Sequence, residues 1–496
     1  MTTELDTPRT SHRVADVLAH VNTGLFIDGK WTGAISGARF DVINPANEEI
    51  IATVADGGEP DARRAIETAG RVQPEWGRTA PRIRSEILRR AYDLIMQRQD
   101  DLALIMTAEM GKPLAESRAE VVYAAEFFRW FSEEAVRIGG DQTVSGDGKT
   151  RILVSREPVG PCVLVTPWNF PLAMGTRKIG PAIAAGCTMV FKPADLTPLS
   201  SLALAGILTE AGLPRGVLNI VCTTDPASVV SPWMSSGIAR KISFTGSTAV
   251  GVRLLEQASQ HVMRSSMELG GNAPFIVFDD ADLDRAVDAA VVAKMRNMGE
   301  ACTAANRIFA HHSIASEFAE RLADHLRRLS VGDGSDEGTD VGPLVCEQAA
   351  VKVQELVDDA VARGATIMCG GSRLKRPGYF YAPTVLSDVA ADSRLMGEEI
   401  FGPVAPVIRF DTEEEAVQLA NATSFGLAAY VFTRDVDRSF RVGDAIEAGM
   451  VGLNTGMVSN PAAPFGGIKA SGLGREGGRV GIDEFLECKY MAVPRG

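Results

Sequence analysis

The chain has 496 residues, of which 45% are hydrophobic and 23% are charged, and its formal net charge is −13. These are ordinary globular values, and the length predicts roughly three domains of ~150 residues each. The acidic balance argues against a nucleic-acid partner, which needs a basic surface. It does not exclude an anionic substrate, because a few local arginines outweigh the field of the whole protein.

The secondary structure predicted for the first half of the chain changes near residue 151. Residues 1–20 predict a short polar helix or a loose tail, and residues 25–31 predict a strand with a turn. Residues 60–140 show helical periodicity. From there on, strands and helices alternate, with candidate strands at 162–166, 188–191, 218–221, 241–244 and 274–278. This alternation predicts an α/β fold with a mostly parallel sheet covered on both sides.

A second α/β block follows in the other half. Its predicted helices lie near 281–298, 315–329, 347–363 and 413–422, and its predicted strands near 306–311, 365–369 and 428–432. The chain then passes through a glycine-rich turn at 464–478 and ends in one predicted strand, 485–493. No internal repeat or low-complexity linker separates the blocks, which favours interleaved domains.

The cysteines and the N-terminus bear on the compartment. Seven cysteines occur, at 162, 187, 222, 302, 346, 369 and 488. None has the spacing of a metal knuckle, so we predict no metal site. We expect reduced thiols, as in a cytosolic enzyme, and we place the cysteines other than Cys302 mostly in the core. The N-terminus lacks an apolar signal core and no apolar run reaches the ~20 residues of a membrane span, so we expect a cytoplasmic protein with no membrane partner.

Two short motifs carry a possible nucleophile and a possible base. Residues 299–303, Gly-Glu-Ala-Cys-Thr, place Cys302 among small residues that leave room around its sulfur. A thiolate there can add to an aldehyde carbonyl, although most lone cysteines are structural. Residues 267–272, Met-Glu-Leu-Gly-Gly-Asn, place Glu268 beside two glycines. This carboxylate can activate a water, and the alternative is a strand-end glutamate paired with a surface lysine.

A third motif, residues 166–171 or Thr-Pro-Trp-Asn-Phe-Pro, supplies an amide donor. The side chain of Asn169 can donate to an oxyanion, with the backbone N–H of Cys302 as a second donor. The alternative is that Asn169 caps a helix whose first turn contains Pro171. A cysteine–histidine protease is disfavoured, because the six histidines include no obvious partner for Cys302.

Together the three motifs resemble the active site of the aldehyde dehydrogenase superfamily, and the resemblance extends from about residue 25 to the C-terminus. It implies a Rossmann-type parallel-sheet NAD domain, an α/β catalytic domain and a small oligomerisation β-element. The corresponding ranges are 1–140 with 158–267, then 268–470, and finally 141–157 with 480–496. A homodimer or homotetramer is expected, because such β-elements pair between subunits in this superfamily.

The resemblance also implies a nicotinamide cofactor. Gly246 and Ser247 lie in a turn that follows a predicted strand and opens a helix, which favours phosphate binding although the turn lacks the Gly-x-Gly-x-x-Gly fingerprint. By resemblance, the cofactor also contacts Trp168, Lys192, Asp195, Glu399 and Phe401. A carboxylate at Asp195 binds ribose hydroxyls and repels a 2′-phosphate, so we predict NAD as the preferred cofactor, with NADP possible.

The nearest resemblance is to succinate-semialdehyde dehydrogenases. In that family two arginines and a serine hold the distal carboxylate of the substrate, and they correspond to Arg177, Arg296 and Ser459. An arginine fork suits a carboxylate, although most arginines form surface ion pairs. The resemblance implies oxidation of succinic semialdehyde to succinate through a thiohemiacetal and a thioester on Cys302. Glutaric semialdehyde or a neutral aldehyde stays open as the substrate.

The sequence departs from the family at two positions and leaves two other function classes open. Glu300 stands where a glutamine is commoner, and its carboxylate either raises the pKa of the nucleophile or points away. Ala304 stands where close relatives often have a second cysteine, so we expect no disulfide within this loop. The other classes are a cysteine esterase or thioesterase without redox chemistry, and a non-catalytic structural or binding protein that kept the fold.

Overall fold

The computed structural model describes residues 7–495, and side chains from residue 13 onward. In that part of the chain the α-helices are α1 (Thr7–Ala19), α2 (Glu59–Trp76), α3 (Pro81–Gln97), α4 (Gln99–Met110), α5 (Leu114–Ala135), α6 (Ala173–Ala185), α7 (Leu199–Glu210), α8 (Pro226–Ser235), α9 (Thr248–Ser259), α10 (Leu283–Met295), α11 (Ala315–Arg327), α12 (Glu347–Ala362), α13 (Arg394–Gly397), α14 (Glu413–Asn421) and α15 (Val436–Ala445). Short 3₁₀ segments cover Arg296–Gly299, Lys469–Ser471 and Val480–Phe485.

The strands alternate with these helices from residue 162 onward. They are β1 (Leu25–Ile27), β2 (Lys30–Thr32), β3 (Arg39–Ile43), β4 (Ile50–Ala55), β5 (Asp141–Val144), β6 (Thr150–Pro158), β7 (Cys162–Val165), β8 (Met189–Lys192), β9 (Leu218–Ile220), β10 (Lys241–Thr245), β11 (Arg264–Glu268), β12 (Ala273–Val277), β13 (Ala305–His311), β14 (Thr366–Cys369), β15 (Thr384–Ser387), β16 (Val404–Phe410), β17 (Ala428–Phe432), β18 (Met450–Leu453), β19 (Gly472–Leu473) and β20 (Leu486–Pro494).

The first large sheet has the strand order β19-β11-β10-β7-β8-β9-β1-β2. Its centre, β11 through β9, is parallel, while β19, β1 and β2 are antiparallel. Strands β7, β8, β9 and β10 are buried at every position, as expected for a parallel sheet with helices on both faces. The α/β prediction is confirmed, and the strands predicted at 162–166, 188–191, 218–221 and 241–244 correspond to β7, β8, β9 and β10. The strand predicted at 274–278 is present as β12 but belongs to the second sheet, and β11 is not among the predicted strands.

The second large sheet has the order β14-β15-β16-β13-β12-β17-β18 and is parallel except for β14. Most predicted elements of this block lie within one or two residues of the observed ones. The exception is the helix expected over 281–298. It ends at Met295, because Asn297 and Met298 adopt left-handed backbone angles with φ of 55° and 53°. The apolar pattern runs on through Met298, which explains the longer prediction.

A third, small sheet has the order β20-β6-β5. The β-element expected at 141–157 is present as a hairpin of β5 and β6, and the strand expected over 485–493 is present as β20, which pairs with β6 in antiparallel register. After Leu486, every residue of β20 is exposed, and so is every residue of β5. No helix within residues 7–495 is long and apolar enough to cross a membrane.

Buried glutamates from the helical region cap the crossover helices of the first sheet. One carboxylate oxygen of Glu120, on α5, accepts the N–H groups of Leu172 and Ala173 at 3.1 Å each, where α6 begins. Its other oxygen binds the Lys112 Nζ at 2.5 Å, and both side chains of this pair are 1% exposed. The first four N–H groups of a helix have no partner within the helix. Glu120 therefore satisfies two of them from a neighbouring element.

We predict that Glu120→Ala lowers the free energy of unfolding by about 3–5 kcal/mol, because it leaves the Lys112 ammonium buried without its partner. Denaturant unfolding measures this change. The control is Glu133→Ala on the same helix, which removes an exposed ion pair with Arg137 at 3.8 Å and should cost no more than about 1 kcal/mol. Equal unfolding midpoints for the two variants would contradict the expected role of the pair.

Candidate active site

A cavity of about 380 Å³ lies where the loops after β7, β10 and β11 meet the start of α12 and the loops at 296–303, 399–401 and 459–465. Ten of the thirteen predicted site residues line it, and they come from both halves of the chain: Trp168, Asn169, Arg177, Gly246, Ser247, Arg296, Cys302, Glu399, Phe401 and Ser459. The other three, Lys192, Asp195 and Glu268, do not line it. The fold therefore gathers most of the predicted set around one space.

Cys302 is half-buried in this cavity, and its main chain is tightly enclosed. A Cβ atom on Gly271 would lie 2.3 Å from the Cys302 carbonyl oxygen, and one on Gly299 would lie 2.2 Å from the Gly402 carbonyl oxygen. Only glycine permits these two approaches. Burial, followed by the nearby Glu399, raises the pKa of the Cys302 thiol to about 12, whereas Arg177 lowers it. Burial in the cavity therefore disfavours the thiolate form of Cys302.

The main chain around Asn169 is anchored from two sides. The Asn169 carbonyl oxygen accepts hydrogen bonds from Lys112 Nζ at 2.8 Å and from Asn297 Nδ2 at 3.0 Å. The Asn169 side-chain amide donates to the Glu300 carbonyl oxygen at 2.9 Å. An amide nitrogen carries two hydrogens, so one remains for a group inside the cavity.

The alternative role of Asn169 as a helix cap is wrong. Helix α6 begins only at Ala173, and Leu172 occupies the capping position without a side-chain hydrogen bond. Glu120 binds the N–H groups of that helix end instead. Nothing in the helix therefore draws the Asn169 amide away from the cavity.

Glu268 ends β11 and lies just behind the cavity wall. It is 3% exposed, and neither carboxylate oxygen has a hydrogen-bond partner among the described residues. A Cβ atom on Gly466 would lie 2.9 Å from Glu268 Oε1, next to Phe465, which does line the cavity. Burial and then the carboxylate of Glu476 raise the pKa of Glu268 well above its usual range. Pairing with a surface lysine, the alternative prediction, is wrong.

One end of the cavity has the features of a dinucleotide site. Ser247 caps α9 by accepting the Val250 N–H at 3.4 Å, so the turn at Gly246 leads directly into a helix N-terminus, which attracts phosphate. Trp168 and Phe401 stand edge to face with ring centres 5.4 Å apart. Burial raises the pKa of Glu399 to about 7. A helix terminus, aromatic walls and a carboxylate fit a nicotinamide dinucleotide.

Lys192 and Asp195 lie together outside the lined space. Lys192 ends β8, and its Nζ is 3.9 Å from the Asp195 carboxylate, whose side chain is 43% exposed. Burial lowers the pKa of Lys192. The pair lies on the first sheet, beyond the carboxyl end of β8, where α/β sheets bind nucleotides.

The two predicted arginines differ in their partners. Arg177 is buried, its guanidinium is 4.0 Å from the Phe465 ring centre, and it binds Glu476 at 3.5 Å and the Tyr123 hydroxyl. Arg296 has no carboxylate within 4.0 Å among the described residues, and its Nη1 lies 3.5 Å from the Ser459 hydroxyl. The charge of Arg177 is thus compensated by Glu476, whereas the charge of Arg296 is available to a molecule that binds in the cavity. Neither is the surface ion pair considered as the alternative.

Several features of the site are not evident from the sequence. Cys346 is not a core residue but lines the cavity directly before α12, and Cys488 is exposed. Tyr123 and Phe465 also line the cavity, although nothing in their local pattern sets them apart. The Glu300 carboxylate accepts the Val345 N–H at 3.3 Å, so it points toward that loop.

Comparison with known proteins agrees with the geometry of the site. Residues 31–491 match the model of the aldehyde dehydrogenase family. The chain belongs to this family. Members of the family act on aldehydes and use NAD or NADP.

Individual relatives of this aldehyde dehydrogenase are similar over nearly their whole length. A succinate-semialdehyde dehydrogenase of Paenarthrobacter nicotinovorans is 56% identical, covering 90% of this chain and 99% of the relative. A glutarate-semialdehyde dehydrogenase of Pseudomonas putida is 49% identical, covering 94% and 97%. The crystal structure of an NADP-dependent enzyme of E. coli superposes with a TM-score of 0.95 at 48% identity, covering 96% and 98%.

We predict that alkylation of Cys302 by iodoacetamide keeps accelerating about tenfold per pH unit from pH 7 to pH 10, because the thiolate is the reactive form and the pKa of the thiol is raised to about 12. Peptide mapping by mass spectrometry measures the rate at this cysteine without cofactor, and Cys302→Ala supplies the blank. A plateau below pH 9 would show that the thiol ionises normally.

Proposed function

We propose that this enzyme oxidises succinic semialdehyde to succinate with a nicotinamide cofactor. The observation that carries the proposal is the free charge of Arg296, which lies with Ser459 in the cavity that also contains Cys302. A cation without a carboxylate partner favours a substrate with an anion at the end remote from its aldehyde. The resemblance to the P. nicotinovorans enzyme supports the same substrate.

In the first half of the proposed reaction, the Cys302 thiol loses its proton to solvent and its sulfur adds to the aldehyde carbon. The carbonyl oxygen becomes an oxyanion, which the free N–H of the Asn169 amide and the backbone N–H of Cys302 stabilise. A preorganised donor of this kind is worth roughly 2.7–4 kcal/mol in the barrier. A nicotinamide bound in the cavity would supply the hydride acceptor, and the loss of hydride from the thiohemiacetal carbon would leave a thioester on Cys302.

In the second half, Glu268 takes a proton from a water molecule that attacks the thioester, and succinate and the thiol are released. The raised pKa of Glu268 makes its ionised form a stronger base than an ordinary carboxylate. Arg177 and Lys178 lower that pKa and so support the ionised form. Water supplies the added oxygen and the hydride carries away the two electrons. The thiolate that leaves the thioester takes the proton of the new carboxylic acid, and the protons lost by the thiol and by water pass to solvent, so the reaction balances.

The cofactor is proposed to lie along the first sheet. Ser247 and Gly246 would hold its pyrophosphate at the start of α9, and Lys192 and Asp195 its adenosine ribose. Trp168, Glu399 and Phe401 would hold the nicotinamide end. In this assignment the first sheet forms the cofactor-binding domain, the second sheet the catalytic domain, and the exposed strands β5 and β20 join subunits of a homo-oligomer.

Glutaric semialdehyde is the second candidate substrate. It carries the same carboxylate one carbon further from the aldehyde, so the same arginine and serine suit it. The resemblance to the P. putida enzyme favours it specifically. The distance between Arg296 and the Cys302 sulfur, relative to the substrate length, decides between the two acids.

The decisive assay follows the absorbance of the reduced cofactor with succinic semialdehyde, glutaric semialdehyde and butanal, each with NAD and with NADP. The proposal expects the highest kcat/KM with succinic semialdehyde and no activity in Cys302→Ala. A higher kcat/KM with butanal would overturn the assignment of the carboxylate site. Hydrolysis of thioesters without any cofactor-dependent oxidation would instead identify a thioesterase.

We predict that Arg296→Ala raises KM for succinic semialdehyde by about 30-fold, which corresponds to about 2 kcal/mol for the loss of one partner of a charged pair. KM for butanal should change by less than about threefold, because that substrate lacks the carboxylate. The exposed Arg285→Ala on helix α10 is the control for a lost positive charge. Equal increases for both substrates would contradict the role of Arg296.

For the cofactor, we predict a higher kcat/KM with NAD than with NADP in the unaltered enzyme, because the Asp195 carboxylate repels a 2′-phosphate. Asp195→Ser removes this repulsion and should shift the ratio toward NADP by about fivefold, which corresponds to ~1 kcal/mol for two charges about 4 Å apart in bulk water, a suitable medium because the Asp195 side chain is 43% exposed. Parallel initial rates with both cofactors measure the ratio. An unaltered enzyme that prefers NADP would contradict the prediction.

A further inference from the structure

The main chain immediately before the proposed nucleophile takes an unusual course. Asn297, Met298 and Gly299 adopt φ angles of 55°, 53° and 77°, so three consecutive residues are left-handed. Residues other than glycine rarely do so, and each such residue costs on the order of 1–3 kcal/mol unless its surroundings impose it. This turn separates Arg296 from Cys302, so its shape sets their relative position.

One side chain from a distant part of the sequence holds the turn. The backbone N–H of Asn297 donates to Glu116 Oε2 at 2.6 Å, across 181 positions of the chain. Glu116 lies in the first turn of α5, just after Lys112. The bond fixes the first left-handed residue from outside the loop, since no neighbour within the loop accepts that N–H.

The turn is connected in the other direction to the oxyanion donors. The Asn297 side-chain amide donates to the carbonyl oxygens of Asn169 and Glu300 at 3.0 Å each. The Glu300 carbonyl oxygen is also the acceptor for the Asn169 amide. A displacement of Asn297 therefore moves the group that orients the Asn169 side chain.

Burial, neighbouring charges and a hydrogen bond affect the pKa of Glu116 in opposite directions. Burial raises the pKa of Glu116, while Lys112, the hydrogen bond from Asn297 and the nearby Arg296 guanidinium lower it. The negative charge of Glu120 also raises the pKa of Glu116. The Glu116 carboxyl group thus accepts the Asn297 N–H, and it forms no ion pair within 4.0 Å with Arg296, whose charge lowers its pKa from a greater distance.

We propose that Glu116 is a positioning residue, which holds the left-handed turn at 297–299 and so sets both the distance from Arg296 to the Cys302 sulfur and the orientation of the Asn169 amide. The first consequence is a preference for one length of acid substrate, which rests on the proposed function. The second is the rate with every aldehyde, which does not depend on the identity of the acid.

The experiment compares Glu116→Leu, which removes the acceptor, with Glu116→Gln, which keeps an oxygen in the same place. Glu133→Leu, on the exposed part of α5, is the matched control. Each purified full-length variant is assayed for kcat and KM with succinic semialdehyde, glutaric semialdehyde and butanal, and for KM of the cofactor. Thermal unfolding is recorded in parallel.

Glu116→Leu should lower kcat with all three aldehydes by roughly 10- to 100-fold, the cost of misplacing reacting groups by about 1 Å. It should also bring the kcat/KM values of the two acids closer together and leave KM of the cofactor unchanged. Glu116→Gln should retain about tenfold more kcat than Glu116→Leu, because the amide oxygen still accepts the Asn297 N–H. Glu133→Leu should match the unaltered enzyme.

The proposal is overturned if Glu116→Leu keeps its kcat, or if Glu116→Gln is impaired as much as Glu116→Leu. Equal loss of cofactor affinity and unfolding temperature would indicate a purely structural role and overturn it as well. If the unaltered enzyme prefers butanal, the proposed substrate fails, yet the kcat comparison with butanal still tests Glu116.

Discussion

The main-chain carbonyl of Asn169 connects segments from three parts of the chain around the cavity. It accepts one hydrogen bond from Lys112, between α4 and α5, and one from Asn297, in the loop that leads to Cys302. The same lysine is neutralised by Glu120, which in turn holds the start of α6. The start of the helix that carries Arg177 and the loop that carries Cys302 are therefore connected through Lys112 and the Asn169 carbonyl.

The sequence does not distinguish Arg177 from Arg296, but the charges that surround each of them in the structure do. Arg177 and Arg296 both border the space, yet Glu476 compensates the former and no carboxylate within 4.0 Å compensates the latter in the described structure. Three carboxyl groups, Glu268, Glu300 and Glu399, are buried so deeply that their pKa values are raised. These raised pKa values favour the neutral forms of the three groups. The charge of Arg296 is therefore available to an anionic substrate.

The sequence predicts those features that short contiguous patterns encode. Parallel strands appear as apolar runs, so β7, β8 and β10 are placed within a residue or two, and Cys302 and Asn169 are recognised because each lies in a compact motif. The end of α10 is not predictable in this way. The helix stops at a left-handed turn whose first N–H is accepted by Glu116, 181 residues away, and local periodicity contains no trace of that contact. Likewise, Cys346 has an ordinary apolar context, and only the packing of α12 brings it to the cavity.

The short strand β19 has a consequence for how the chain is assembled during synthesis. It pairs Gly472 and Leu473 with Glu268 and Met267, and so adds the outermost strand to a sheet whose other members are all complete by residue 268. Domains generally fold from the N-terminus as they leave the ribosome. The first sheet therefore keeps an unpaired edge at β11, which ends at Glu268, until some two hundred further residues have been synthesised. A nascent chain that stops before residue 472 presents that unpaired edge to its surroundings, where chaperones or other nascent chains can bind it.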